Sequence, residues 1–162
     1  MVGGLRNRRS SDLKPGVEVQ GIAELERNMA ILANKYGEAR AKGAFMGGEI
    51  VRTSAIDSIH TVSPGNAVTR TRLGGATYDH TASKEGEAPN TDTGRLVSSI
   101  HVEATENYVF VGSTLEYAGH LEFGTRSMGA RPWLFPALEG NKKNIEKIIG
   151  QKIRETSAKA KV

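Results

Sequence analysis

Residues 117–138 bring glycine, proline and large aromatic side chains together in one short stretch, YAGHLEFGTRSMGARPWLFPAL. Gly124 and Gly129 admit backbone dihedrals that are closed to other residues. Pro132 and Pro136 fix φ and remove two amide donors. A stretch of this kind is predicted to be a shaped connector between two regular elements, with its rings as anchors. We call residues 117–138 the connector.

The ends of the connector carry helix signals. Residues 116–123 are predicted to form a short helix with Gly124 at its C-terminal cap. Pro136 is expected to begin the last helix at its first position. The rings are expected to lie in the core, although such side chains also serve as interface anchors. They are Tyr117, Phe123, Trp133 and Phe135.

The polar side chains of the connector allow several roles. His120 and Glu122 resemble a general acid–base pair, but the favoured interpretation directs both toward solvent or a partner. Arg126 and Arg131 suit bidentate contacts with carboxylates of a neighbouring subunit. An internal salt bridge to Glu122 or Glu116 is the alternative for these arginines.

The length and charge of the chain predict one domain with extensions. The chain has 162 residues, which is enough for a single core. A basic arm is predicted at 1–16, a single domain at 17–155 and a frayed tail at 156–162. The net charges are +3 for 1–16, −4 for 17–139 and +5 for 140–162. An acidic body between basic ends is not typical of a dedicated duplex-binding domain.

Two long helices are predicted from apolar spacing. The first helix carries a seam at steps of three and four, and packing on the protein's own sheet is favoured over a coiled coil. Glycines at 43–48 predict either a bend or a closely approaching neighbour. The last helix carries an isoleucine stripe opposite lysines. The seam is Ile22, Leu25, Met29, Leu32, Tyr36 and Ala39; the stripe is Leu138, Ile145, Ile149 and Ile153, flanked by Ile148.

The middle of the chain predicts one secure hairpin and one long loop. Residues 98–104 alternate apolar and polar side chains, and 108–112 return after a turn. Residues 63–87 are predicted to be an extended loop insertion, in which a short exposed hairpin around Arg70 and Arg72 is the alternative. Asp92 or Thr93 is expected to cap a helical turn. A short strand is expected at 17–19. The fold class is therefore α+β, with two helices packed on a small antiparallel sheet.

Catalytic, cofactor and metal sites find no support in the sequence. There is no cysteine, and no two histidines stand at metal-ligand spacing on one helix. No nucleophile elbow, Walker A or dinucleotide-binding pattern occurs. We therefore expect a protein that is not an enzyme and has no cofactor and no metal. No apolar run is long enough for a membrane span, and the N-terminus lacks the apolar region of a secretory signal.

Two spaced motifs resemble one family. Ala88-Pro89 with Asp92-Thr93-Gly94-Arg95-Leu96 is similar to a Pro-x-x-Thr-Gly-x-Leu block that precedes a hairpin. Glu122-Phe123-Gly124-Thr125-Arg126, followed by Ala130-Arg131-Pro132-Trp133-Leu134 and Pro136-Ala137-Leu138, is similar to its second block. Together they resemble the head–tail joining proteins of tailed bacteriophages, also called neck, minor tail or tail-completion proteins. The similarity spans roughly residues 20–153; the insertion at 63–87 and the basic arm depart from the family pattern.

The resemblance implies a structural virion protein, assembled in the host cytoplasm. Such proteins form a homo-oligomeric ring in the neck, for which a hexamer is favoured over a dodecamer. The implied partners are phage connector proteins or head-completion proteins on one side of the ring. A tail terminator or tail tube is the implied partner on the other side. Duplex DNA passes through the lumen without sequence-specific contact. The implied assembly residues are Thr93, Gly94, Leu96, Tyr117, Glu122, Gly124, Thr125, Arg126, Arg131, Pro132, Trp133 and Pro136.

A nucleic-acid-binding module is the alternative function. Arg6, Arg8 and Arg9 near the N-terminus, together with lysines of the last helix, would contact phosphates. Mobile, solubilising tails explain the same charges without a nucleic acid.

Overall fold

The structure, a computed structural model, describes residues 22–105 and 108–160. Its helices and strands confirm the α+β class, with long first and last helices. The strands form two separate antiparallel hairpins rather than one sheet. The elements are α1 (Ile22–His60), β1 (Gly65–Thr71), β2 (Thr77–Ser83), α2 (Arg95–Ser99), β3 (Ile100–Ala104), β4 (Val109–Ser113), α3 (Glu116–Phe123) and α4 (Phe135–Lys159).

The chain divides into two compact units, Met1–Asn34 and Lys35–Val162. The single domain predicted at 17–155 stays a prediction. The basic arm at 1–16 and the strand expected at 17–19 lie outside the described residues.

The N-terminal part of α1 leaves its apolar seam in solvent. Ile22, Leu25 and Met29 are 53%, 60% and 61% exposed. The predicted burial of the seam is therefore wrong for these three side chains. Only at Ala39, in the second unit, does the predicted seam become buried.

Glycines in the middle of α1 allow two helices to approach closely. A Cβ at Gly43 would lie 2.9 Å from Ile149 Cα, and one at Gly47 would lie 2.8 Å from Ile145 Cγ2. Both isoleucines belong to the predicted stripe of α4. Of the two predicted explanations for these glycines, the close neighbour is confirmed. The absence of side chains lets α1 and α4 meet nearly backbone to backbone.

The β3–β4 hairpin packs its apolar face on the same helix. The pairing runs from Ile100 opposite Ser113 to Ala104 opposite Val109, which confirms the predicted hairpin. A Cβ at Gly48 would lie 2.8 Å from both Val102 Cγ1 and Val109 Cγ1. One correction concerns residues 98 and 99, which lie in α2 rather than in the strand.

Residues 65–83 form a second hairpin within the segment predicted to be an extended loop. β1 and β2 pair antiparallel over seven positions, so the alternative of an exposed hairpin is the one that the structure supports. The turn uses Gly74 and Gly75, whose φ values of 110° and 88° exclude most side chains. At the base, the Asn90 amide bonds the Ser63 backbone N and O and the Thr81 O at 2.7–2.9 Å. The segment is thus tied to the body by a side chain that follows it.

The core lies where α1 meets the short elements and the start of α4. Ile59 and Ile100 are each 2% exposed, and Trp133 is 3% exposed. α4 continues to Lys159, which corrects the fraying predicted from 156 onward. The buried cluster is Val51, Ala55, Ile59, Leu96, Ile100, Ala118, Trp133 and Ala137.

Candidate assembly site

A buried carboxylate joins the two ends of the connector. Glu122, 9% exposed, accepts hydrogen bonds from the backbone amides of Trp133 and Leu134 at 2.8 and 2.9 Å through Oε2. Its Oε1 accepts from Phe135 N at 2.8 Å. The first amides of a helix have no partner inside the helix, and the helix dipole favours an anion there. Glu122 of α3 therefore caps α4, and we call this arrangement the Glu122 clamp.

The clamp corrects the roles predicted for the carboxylate. Glu122 does not point to solvent or to a partner, and it forms no salt bridge with Arg126 or Arg131. Its oxygens are occupied by three amides, so the arrangement with His120 does not form an acid–base pair. The sequence did contain a signal for this role. Glu122 is the one acidic residue of the connector, and Pro136 marks the start of a helix near the end of the same stretch.

Tryptophan holds the connector in the core. Trp133 is buried, as predicted, and its indole Nε1 donates to Ala118 O at 3.4 Å. Pro132 precedes it. Pro136 lies in the first turn of α4, one position later than predicted, because the helix begins at Phe135. Because the ring and the clamp act on adjacent residues, the entry of the chain into α4 is fixed from two sides.

The middle of the connector folds back as a tight turn. Gly124, with φ +76°, ends α3 as predicted, and its amide donates to His120 O at 2.9 Å. A Cβ there would lie 2.9 Å from both Ala130 N and Met128 O. Thr125 and Met128 form an isolated antiparallel bridge across the turn. Glycine is required at 124 because both the dihedral and the space exclude a side chain.

The two arginines of the connector differ in their contacts, since Arg131 is hydrogen-bonded and Arg126 is exposed. Arg131 Nε donates to Ser83 O at 3.0 Å, and Nη1 donates to Gly129 O at 3.1 Å. It therefore ties the connector to the end of β2, and the predicted internal salt bridge to Glu122 or Glu116 is wrong. Arg126 is exposed, and its guanidinium has no partner in the part of the chain that the structure describes.

The first motif block turns into α2 without the predicted side-chain cap. The residue before α2 is Gly94, at φ 74°, and no side chain caps this helix. Asp92 instead accepts from the Tyr78 hydroxyl at 2.6 Å and pairs with Arg70 at 3.0 Å. The hydrogen bond to Asp92, followed by burial, raises the pKa of Tyr78 above its ordinary value of 10.0. Asp92 therefore links the block to the β1–β2 hairpin.

The two motif blocks meet at a cleft of about 520 Å³. Five of the predicted assembly residues line it: Thr93, Gly94, Leu96, Tyr117 and Arg131. The remaining seven lie along the connector: Glu122, Trp133, Pro132 and Pro136 at the clamp, and Gly124, Thr125 and Arg126 at the turn. Sequence reasoning missed the contribution of β2, which supplies His80 and Ser83 to the lining.

Aromatic rings predicted for the core lie on the surface. Phe123 is 84% exposed and Phe135 is 61% exposed. Tyr117 is 40% exposed, so Trp133 is the only one of the four that confirms the prediction. Leu138, one turn beyond Phe135, is 44% exposed. We call Phe123, Phe135 and Leu138 the aromatic edge.

Other kinds of site are not found in the described part of the protein. Within residues 22–105 and 108–160, no three acidic or histidine side chains are grouped so that they could hold a metal ion. None of the helices in these ranges is long and apolar enough to cross a membrane.

Comparison with family models, curated proteins and solved structures finds no match to this chain.

Proposed function

We propose that the protein is a structural virion component of a tailed bacteriophage that joins head and tail in a neck ring. The resemblance of the two motif blocks supports this proposal, since the residues that carry it lie at one cleft, one clamp and the turn of the connector. The observation that carries the proposal is the exposure of Phe123 and Phe135 at a rigid joint. We propose no catalytic activity.

The aromatic edge has the properties of a protein-binding surface. The 2.8 Å bond between Glu122 and Phe135 N holds the end of α3 beside the start of α4. Phe123 and Phe135 therefore both project from one fixed backbone joint. Large exposed rings on a rigid frame lose little conformational entropy on binding, and such rings dominate the energy of protein interfaces. These exposed apolar side chains are therefore candidates for an interaction site.

A neck ring requires an interface that closes on itself. Such a ring uses a head-to-tail contact in which two different surfaces of each copy meet. We propose that the aromatic edge is one of these surfaces. The assembled ring, a hexamer in preference to a dodecamer, would contact phage connector proteins or head-completion proteins on one side. A tail terminator or tail tube would lie on the other, with the genome passing through the lumen and the protein resident in the virion.

The test combines microscopy with mass measurement. Electron microscopy and multi-angle light scattering of the purified protein should reveal rings, and the protein should be found in the necks of phage particles. Phe123→Ser and Phe135→Ser should shift the mass toward the monomer. Tyr108→Ser, which alters another strongly exposed ring, is the matched control. A protein that stays monomeric at all concentrations and is absent from particles would refute the proposal.

A second candidate function, contact with duplex DNA, is favoured by one face of α4. Lys143, Lys147 and Arg154 are exposed and have no ion-pair partner among the residues the structure describes. Their spacing of four and seven residues places them on one side of the helix. Such a stripe can neutralise phosphates. Duplex affinity that falls steeply with salt, and less steeply in Lys143→Gln with Lys147→Gln, would support this function.

A further inference from the structure

The cleft between the two motif blocks carries more positive than negative charge. Arg70, Arg95 and Arg131 line it, whereas Asp92 is the only carboxylate in its lining. Asp92 is already bonded by Arg70 and by the Tyr78 hydroxyl. The remaining cations therefore have no carboxylate of the lining to balance them, and the cleft is complementary to a negatively charged group.

Two arginines retain unused hydrogen-bond donors at this cleft. A guanidinium has five N–H donors, and Arg131 uses one on Ser83 O and one on Gly129 O. The Arg95 guanidinium is exposed and has no partner within 22–105 and 108–160. Because Arg131 is fixed by two backbone carbonyls, its free N–H groups are held in place before any ligand arrives. A planar carboxylate matches this geometry by accepting two parallel bonds.

The lining also contains apolar side chains beside its polar ones. Ile59 and Leu96 are buried core residues, and Leu121 is half-buried. A volume of about 520 Å³ lies within the range of roughly 300–1,000 Å³ that is usual for ligand sites. A free inorganic anion would leave this apolar surface uncovered. A carboxylate carried beside an apolar side chain would cover it.

We propose that the cleft binds an acidic peptide segment of a protein partner. A carboxylate accepts from Arg131 and Arg95, and a neighbouring apolar side chain packs on Leu96 and Leu121. The choice of a protein partner rests on the proposed joining function, because a joining protein must hold segments of its neighbours. The binding chemistry of the cleft itself does not depend on ring formation.

Titration with a blocked tripeptide, acetyl-Leu-Glu-Leu-amide, tests the proposal by NMR of the ¹⁵N-labelled full chain. Saturable shifts are expected at the Arg131 Nε–H and at the Leu96 amide. The tripeptide with glutamine in place of glutamate should bind at least about tenfold more weakly, since it loses a charge-assisted bond. Inorganic phosphate, tested alone, should bind more weakly than the acidic peptide.

Three variants separate the cleft from the rest of the surface. Arg131→Lys removes the planar fork and should weaken the peptide about tenfold. Arg95→Gln, which breaks no contact made by the side chain, should weaken it several-fold and keeps the test valid if Arg131→Lys fails to fold. Arg27→Gln alters an exposed arginine outside the lining and should leave binding unchanged.

Three outcomes would overturn the proposal. The first is the absence of a saturable shift up to about 20 mM peptide, a concentration well above a dissociation constant of about 1 mM for a weak complex. The second is equal binding of the glutamine peptide. The third is tighter binding of inorganic phosphate than of the acidic peptide. Ring formation observed by microscopy is a separate readout. The peptide titration can therefore fail while the joining function stands, and the reverse also holds.

Discussion

Glu122 Oε2 lies 2.8 Å from the backbone nitrogen of Trp133, and both residues are buried. This contact fixes the connector at its two ends, because the same carboxylate also accepts from Leu134 and Phe135. It orders the start of α4, and it also holds the joint from which the aromatic edge projects. The stability of the fold and the shape of the proposed interface therefore depend on one side chain.

Replacing Glu122 with glutamine should destabilise the fold by about 2 kcal/mol, since hydrogen bonds to a charged group contribute roughly 1.5–3 kcal/mol. Glutamine keeps one acceptor oxygen but loses the charge that favours the helix N-terminus. Urea unfolding followed by circular dichroism measures the change. Glu116→Gln, on the exposed first turn of the same helix, should stay within about 0.5 kcal/mol. Equal effects of the two substitutions would contradict the role of the clamp.

Two glycines of α1 should respond to alanine in opposite directions. A Cβ at Gly43 would meet the backbone of Ile149, whereas one at Gly37 meets nothing within 4 Å. Gly43→Ala should destabilise by about 1–3 kcal/mol, since overpacking forces the helices apart. Gly37→Ala should stabilise by up to about 1 kcal/mol through helix propensity. Thermal unfolding of the two variants gives the comparison, and a stabilised Gly43→Ala would show that α1 and α4 do not pack as described.

Two serines of the second unit, Ser83 buried and Ser99 half-buried, provide a test of hydrogen-bond satisfaction. The Ser83 hydroxyl is buried and has no partner in the described structure. The Ser99 hydroxyl lies 2.6 Å from both Leu96 O and Ser113 Oγ. Ser83→Ala should therefore be neutral or stabilise by about 1 kcal/mol, and Ser99→Ala should destabilise by about 1 kcal/mol. Chemical unfolding midpoints distinguish the two, and a clear loss of stability in Ser83→Ala would reveal an unseen partner.

The Tyr78–Asp92 contact should be visible in a pH titration. The hydrogen bond to Asp92 raises the pKa of Tyr78 above 10.0. Because the folded pKa is the higher one, the stability that this contact contributes is fully present below pH 10.0 and is lost as the pH rises through the folded value. Phenolate absorbance at 295 nm, taken as the difference between the protein and Tyr78→Phe, isolates this group.

Asp92→Asn provides the control for that titration. Removing the carboxylate should lower the pKa of Tyr78 toward its ordinary value, because the first and largest cause of the shift is the bond to Asp92. An unchanged midpoint in Asp92→Asn would show that another group holds the phenol.

Local patterns of the sequence predicted the regular elements well. Alternation predicted the β3–β4 hairpin, glycine predicted the end of α3, and proline predicted the start of α4. Each of these signals acts over a few neighbouring residues, where backbone dihedrals and side-chain periodicity are decisive. The same local reasoning treated 63–87 as a loop, because its strands are polar and bury little surface.

The sequence by itself determined the α+β class, the order of the long helices and the existence of a rigid connector. Tertiary structure alone decided which groups meet: Glu122 with the amides eleven to thirteen residues ahead, and Arg131 with Ser83, 48 residues behind. It also decided that Phe123 and Phe135 face solvent while Trp133 is buried. Burial and pairing depend on which distant backbone approaches a side chain, and neither hydrophobicity nor spacing along the chain contains that information.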